Sequence, residues 1–353
     1  MPTFYLKKGA VLRTAHGFQP GNDWLGSIYK TEVKMKDLCS FDELIEGYFF
    51  SKTLRVATEW SYRKVLKTFL NFAGAAISPA DVDDRLVLNW RRHVLNVEGL
   101  TKTTWNNKLT HMRALFNFAI EEGYIPATKN PFNGKIARPD VKRKKTLTDI
   151  QINKIYLLME AREADEQYGK NYNHRSALRP AWFWLTVLDA LRRTGMRQNQ
   201  LLHIRLCDVN FMHNWISLRP EGAKNHREHL VPITRYLRPR LEMLYNRSLE
   251  RGAKMEDQLF NLSRFDGRRN ETSENMDNPP LRAFFRRLSN ECGFVVSPHR
   301  FRHTIATNLM SMPDRNLKMA QDLLGHSTPA VTLQYVESDI NKVRSVLEQL
   351  EVA

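Results

Sequence analysis

Between residues 129 and 147 the chain can be neither helix nor strand, and this break divides the rest into two folding problems. Lys129-Asn130-Pro131-Phe132-Asn133-Gly134 sets a proline and a glycine close together, which ends any helix arriving from upstream. Arg138-Pro139-Asp140-Val141-Lys142-Arg143-Lys144-Lys145 follows as a basic run with no apolar period. The text before the break is helical, and the text after it mixes helices with short strands. The expected fold is mainly α with a small antiparallel β-sheet. Its parts are an N-terminal segment over 1–38 with no role assigned, an all-helical domain over 39–130 and a basic linker over 131–146. A mixed α/β domain over 147–338 and a terminal helix over 339–353 complete it.

The helical domain opens on Ser40-Phe41-Asp42-Glu43, a capping box, followed by Leu44, Ile45 and Tyr48. The spacing predicts a second helix over 55–73 with Trp60, Val65, Leu66, Phe69 and Leu70 inward and Arg55, Arg63, Lys64 and Lys67 outward. A third is predicted over 79–97 and a fourth over 101–122, the last burying Leu109, Met112, Leu115, Phe116 and Ala119. The outer side of that last helix is expected to carry Lys102, Thr103, Thr104, Asn106, Asn107 and Lys108. Taken alone, these read as ordinary solvated residues.

Charge gives them a second reading. Lysine and arginine outnumber aspartate and glutamate by 54 to 38, a net charge of +16, with a pI near 9.8. Such an excess calls for a polyanionic partner. No long apolar stretch or leader appears, so a membrane is not expected. Short polar and basic groups suit phosphates and base edges. The candidate DNA-contacting residues are therefore Lys102, Thr103, Asn106 and Asn107 on the helix, with Lys142, Arg143, Lys144 and Lys145 in the linker. Three scattered cysteines fit reduced thiols of a cytoplasm and no disulfide frame.

The second domain begins at Thr146-Leu147-Thr148-Asp149, a helix start, and residues 162–178 read as an exposed insertion. A core stripe of Trp184, Val187, Leu188 and Leu191 stops at Thr194-Gly195, which puts Arg197 in a turn among apolar neighbours. An arginine there either pairs with a carboxylate or awaits an anion. Strand-like pieces follow at Val209-Asn210-Phe211, Trp215 to Leu218 and His229 to Ile233, with Lys224 in the last connection. His226 with His229, and His203 with Cys207, have metal-like spacing but no second half nearby, so no metal is expected.

Ser297-Pro298 is an N-cap and first-turn pair, and it opens a helix bearing His299, Arg302 and His303, with Ile305, Ala306 and Leu309 as buried positions. Another helix, 316–324, carries Met319, Ala320, Leu323 and Leu324 at core spacing and stops at Gly325, ahead of His326. Thr328-Pro329 starts the next, with Tyr335 near its end.

Thr194-Gly195-Met196-Arg197 with Leu201, Lys224 ahead of Leu230-Val231-Pro232-Ile233, His299-x-x-Arg302-His303, Leu324-Gly325-His326 and Tyr335 stand in one order. In this order the chain resembles the tyrosine recombinase family over about residues 40–350. The resemblance implies a helical core-binding domain and a mixed catalytic domain forming a C-shaped clamp on DNA. It implies strand exchange through a 3′-phosphotyrosyl intermediate, without metal, ATP or other cofactor. Tyr335 would be the nucleophile, Arg197 and Arg302 the phosphate clamp, Lys224 the acid, and His299 and His326 the assisting histidines. Gln200 and His303 would support them. Gln200 departs from the family, which usually has an acid there.

The implied partners are double-stranded DNA and three further copies of the chain on paired sites, a homotetramer. Off DNA the chain would be a monomer or weak dimer, and accessory DNA-bending proteins could assist. The implied setting is the cytoplasm, at the nucleoid, for a bacterial or phage-encoded chain. The apolar stripe Ile340, Val343, Val346, Leu347 and Leu350 would dock on a neighbouring protomer; alternatively it caps its own domain. The competing readings are a DNA-binding regulator without catalysis and a type IB topoisomerase-like strand transferase.

Overall fold

A computed structural model describes residues 39–126, 129–139, 145–169, 176–222, 228–266, 275–312, 317–325 and 328–335. The N-terminal segment, Lys142, Arg143, Lys144, Lys224, His326 and the terminal stripe lie outside the described residues. The chain divides into two compact units at Val141 and Lys142.

The first unit is helical. Helix α1 (Phe41–Ser51) is capped by Ser40, whose N–H and hydroxyl both donate to the Glu43 carboxylate, at 2.8 and 2.9 Å. Those two bonds hold the Glu43 carboxyl below its ordinary range. Helix α2 (Val56–Ala73) buries Tyr62, Leu66 and Phe69. Trp60, expected inward, is 63% exposed, because it lies two residues from Tyr62 and so on the far side of the helix. It carries the Lys64 ammonium on its ring instead. The single helix expected over 79–97 is two pieces. Ser78 and Asp81 close a local box around one 3₁₀ turn, and Asp83 then caps a new helix, α3 (Asp84–Arg92), which runs into a π turn over His93–Val97. Helix α4 (Lys102–Glu121) starts at the Thr101 cap and buries all five residues expected of it.

Aromatic rings fill the centre of this unit. Phe69, Trp90 and Trp105 meet edge to face at 5.0 and 5.2 Å, and Phe116 meets Phe132 at 4.8 Å. Phe132 is fully buried, so the segment read from sequence as the start of a linker is part of this core. Trp105 Nε1 donates to the Lys135 carbonyl at 2.9 Å. The Asn130 side chain donates to the Arg113 carbonyl and accepts from the Phe132 N–H. The sequence signal was ambiguous because Pro131 and Gly134 end a helix equally well before a linker or a docked turn.

The second unit is built on helix α6 (Ala181–Thr194), which is buried nearly all round. Trp184 stacks face to face on Phe284 of helix α9 (Asn278–Cys292), with centroids 4.2 Å apart. Truncating either ring would cost about 3–5 kcal/mol. Helix α5 (Asp149–Gln167) opens on a capping box of Thr148 and Gln151. It runs well into the stretch expected to be an exposed insertion, and that stretch is ion-paired. Arg162 pairs with Glu291, Glu163 with Arg240 at 3.3 Å and Glu166 with Arg179 at 3.3 Å. Charge density alone could not separate a solvated insertion from a helix whose polar face meets other helices.

Between the short helix α7 (Gln198–Leu201) and α8 (Arg238–Glu250) lies the expected sheet. Strands β1 (Val209–Asn210), β2 (Trp215–Leu218) and β3 (His229–Pro232) pair antiparallel in that order. Ile216 faces Val231 in the middle of the β2–β3 ladder, and both are buried. The unit closes with α10 (Pro298–Ser311), α11 (Leu317–Leu324) and α12 (Pro329–Leu333). On α11 only Ala320 and Leu324 are buried; Met319, expected inward, is 62% exposed. No helix among the described residues is long and apolar enough to cross a membrane.

Candidate active site

Helix α6 ends at Gly195, a left-handed residue with φ 64°. A Cβ there would meet Ile305 of α10 at 2.7 Å and Leu324 of α11 at 3.2 Å, so glycine is required by both backbone and packing. The tight turn delivers Arg197 as the N-cap of α7, where its N–H donates to Gln200 Oε1 at 2.8 Å. A neutral amide thus fills the capping place of the acid usual in the resembled family. The other end of that amide, Nε2, is buried with no hydrogen-bond partner among the described residues, as is Arg197 Nη1. Burial pulls the Arg197 guanidinium below its ordinary range, and Tyr335 opposes that pull.

Arg302 lies on the first turns of α10, which Ser297 caps by accepting from the Arg300 N–H. Its side chain is almost fully enclosed. Nη1 donates to the Gly195 carbonyl at 2.7 Å and Nη2 to the Leu324 carbonyl at 2.5 Å. One guanidinium therefore joins the end of α6 to the end of α11. Burial, and then the charge of Arg197, pull its pKa down to about 9, so it stays charged at neutral pH. Two like charges are held together here by packing and carbonyls, which leaves a local excess of positive charge.

His299, Arg302 and His303 share one face of α10 at spacings of three and four. The two imidazoles lie nearly parallel, with centroids 6.4 Å apart. Burial lowers the His299 pKa, and Arg302 and Arg197 lower it further. His303 Nδ1 is 3.1 Å from the Tyr335 hydroxyl. Tyr335 follows α12 in a turn closed by its own N–H to the Thr332 carbonyl, and it is 6% exposed. Burial raises its pKa while Arg302 and Arg197 pull the other way.

One further residue belongs to this cluster and sequence reasoning missed it. In the sequence His229 stands out only as half of a metal-like pair with His226. It stands on β3 with a buried Nε2 that has no partner among the described residues, and burial, Arg197 and Arg302 together lower its pKa. The available signal was period two: His229 shares an inward face with the buried Val231. The His203–Cys207 pair is otherwise engaged. His203 Nδ1 bonds the Asn199 carbonyl and Cys207 lies against Arg219. No group of three or more potential metal ligands occurs among the described residues.

The residues expected to touch DNA divide. Thr103 and Asn107 are exposed and Lys102 is half-buried on α4, and Lys145 is exposed ahead of α5. Asn106 spends both ends of its amide on the Ala137 backbone, at 2.8 and 2.9 Å. Lys108, expected on the outer side, is 8% exposed and donates to Thr68 Oγ1 at 2.8 Å. A cleft of about 790 Å³ is lined by Arg205, Arg219 and Arg264 and contains none of the clustered residues. Arg219 and Arg264 are already paired there, with Asp208 and Asp257.

A buried guanidinium, Arg302, and a half-buried one, Arg197, beside a histidine-bonded phenol can hold a tetrahedral anion and present a nucleophile to it. Comparison with known proteins bears on that chemistry. Residues 40–136 match the phage integrase SAM-like domain, and residues 146–342 match the phage integrase family. The chain is 36% identical over 312 residues to a putative tyrosine recombinase XerC of Pseudomonas aeruginosa, covering 88% of this chain and 72% of that protein. It is 34% identical to a namesake from Pseudomonas syringae, covering 87% of this chain and 63% of that protein. Its fold is similar to that of a lambda integrase tetramer bound to a Holliday junction, with a TM-score of 0.61 and 18% identity over 86% of this chain and 78% of the other. A family match spanning more than half of the sequence, with relatives at this level of identity, means that the chain belongs to the phage integrase family of tyrosine recombinases, enzymes of site-specific DNA recombination.

Proposed function

We propose that the chain cleaves and rejoins DNA through a covalent 3′-phosphotyrosyl intermediate formed on Tyr335. The observation that carries this reading is the placement of the Tyr335 hydroxyl, bonded to His303 and acted on by both Arg197 and Arg302. A phenol is protonated at neutral pH and burial only strengthens that, so attack needs an acceptor. His303 in the tautomer with its proton on Nε2 accepts at Nδ1, and neutral His299 alongside serves as a second acceptor. The Tyr335 oxygen bonds to phosphorus as the bond to the 5′ oxygen breaks, and Lys224 gives that oxygen its proton. His326 hydrogen-bonds the phosphate. The free 5′ hydroxyl of a partner strand reverses the step, so no ATP is consumed.

Arg197 and Arg302 stabilise the charge that gathers on the non-bridging oxygens. A preorganised donor of this kind contributes about 2.7–4 kcal/mol. Arg197 Nη1, without a partner among the described residues, fits an incoming phosphate oxygen. Fixed guanidinium charge does the work that metal ions do in other phosphoryl enzymes, so no metal or cofactor is assigned. Gln200 positions Arg197 through its backbone.

Lys102, Thr103 and Asn107 of the helical unit and the basic run Lys142, Arg143, Lys144 and Lys145 would track the phosphates of duplex DNA. Asn106 would shape that surface from within. Likeness to a tetramer on a Holliday junction supports a homotetramer on paired sites, with the 339–353 stripe docking between protomers and DNA-bending proteins assisting in a bacterial cytoplasm. The test is to incubate the chain with nicked duplexes from element ends, then digest any adduct. A peptide containing Tyr335 on a 3′ phosphate supports the reading; a 5′ linkage or another residue refutes it.

A further inference from the structure

His229 has no task in the reaction as written. Its backbone is fixed in register with Leu218 of β2, and its side chain points inward beside Val231. An aliphatic residue would pack at such a position without loss of solvation. Here a half-buried imidazole stands instead, its Nε2 buried and without a hydrogen-bond partner among the described residues. The outer edge of its ring is pressed onto Gly325. A Cβ at Gly325 would lie 2.8 Å from Cε1 and 3.1 Å from each ring nitrogen of His229. Gly325 also has φ 57°, so this turn needs glycine both for its backbone and for the ring against it. Arg302 grips the same turn from another side, through the Leu324 carbonyl.

Resting on the recombinase reading, we propose that His229 is a positioning residue whose ring wedges the Leu324–Gly325 turn against the Arg302 guanidinium. The wedge holds β3 and the end of α11 at one spacing. In the sequence β3 follows Lys224 and the turn precedes His326, so the wedge joins the chain segments that lead to the proposed acid and the proposed phosphate ligand. The ring acts through the turn and touches no reacting atom. Neutrality suits the role, since a charged imidazole would be repelled by both arginines.

The test is a double-mutant cycle on the full chain with His229→Ala and Gly325→Ala, reading thermal unfolding, DNA affinity and single-turnover cleavage of a nicked duplex. His229→Ala should leave DNA affinity unchanged and slow cleavage about a hundredfold, the effect of an ångström-scale misplacement. Gly325→Ala should be worse, because the new methyl meets the ring. The double variant should be no slower than Gly325→Ala and should unfold at a higher temperature than it, since removing the ring makes room for the methyl. Independent losses, multiplying in rate and adding in unfolding temperature, would overturn the wedge. So would an equal loss of DNA affinity and cleavage in His229→Ala. If the wild-type chain forms no adduct, the recombinase reading fails, and the unfolding cycle still decides whether ring and turn act through each other.

Discussion

The Tyr335 hydroxyl lies 3.1 Å from His303 Nδ1, so the proposed nucleophile is held by a side chain one helical turn beyond His299. If that bond serves proton acceptance, His303→Ala should slow single-turnover cleavage about a hundredfold, the usual reach of a positioned acid or base. DNA affinity should stay as it was. Cleavage at the wild-type rate would make the bond incidental and leave His299 as the acceptor.

Arg302 binds two carbonyls at helix ends, so it supports the fold as well as the proposed phosphate contact. Arg302→Lys keeps a charge but cannot donate to the Gly195 and Leu324 carbonyls together. One buried acceptor is left unpaired, which should lower unfolding stability by about 1–3 kcal/mol. Cleavage should fall by about 10²–10³, the effect of one lost transition-state donor. Denaturant unfolding beside adduct formation reads both, and an unchanged unfolding midpoint would show that the carbonyl bonds contribute little.

Two histidines with lowered pKa give stability a pH dependence of known sign. Unfolded, His229 and His299 take up protons near pH 6.5; folded, they resist until lower pH. Their contribution is complete above that value and is lost as pH falls from it toward the depressed folded values. Melting series over about pH 5 to 8 should therefore show a fall on the acid side. DNA should soften it, because a phosphate offsets the fields of Arg197 and Arg302. A chain in which replacing both histidines leaves the acid limb unchanged would refute this cause.

Asn106 and Asn107 are neighbours with different tasks. Asn106→Ala removes two hydrogen bonds to Ala137 and should destabilise the helical unit by about 1–3 kcal/mol. Asn107→Ala should leave unfolding unchanged and weaken DNA binding. Titration of labelled duplex beside thermal melts separates them. Equal effects of both on DNA affinity, with no effect on melting, would put Asn106 at the DNA surface.

Much of this was legible because certain residues leave the backbone few choices. Ser40 with Glu43, Ser297 with Pro298, and glycines at positions 195 and 325 mark helix ends by local chemistry, and the structure has those ends. The core stripes of α4 and α6 followed from the helical period. Trp60 and Met319 were misjudged because apolar character says nothing about which face of a helix meets a neighbour. Asn106 and Phe132 were misplaced because their partners lie far along the chain, and no local pattern records a contact with Ala137 or Phe116. His229 escaped notice for a similar reason. Its neighbours Gly325, Arg197 and Arg302 come from three separate stretches and meet only in the folded unit.

The most direct measurement compares the wild-type chain with Tyr335→Phe on a nicked duplex carrying a recombination site, resolving free DNA, bound DNA and covalent adduct in one experiment. The account expects wild type to form a 3′ adduct at one discrete position. It expects Tyr335→Phe to bind the same DNA with the same affinity and form no adduct. An adduct that persists without the Tyr335 hydroxyl would contradict the assignment of the nucleophile. Tight sequence-specific binding with no adduct from either protein would contradict catalysis itself and leave a DNA-binding regulator.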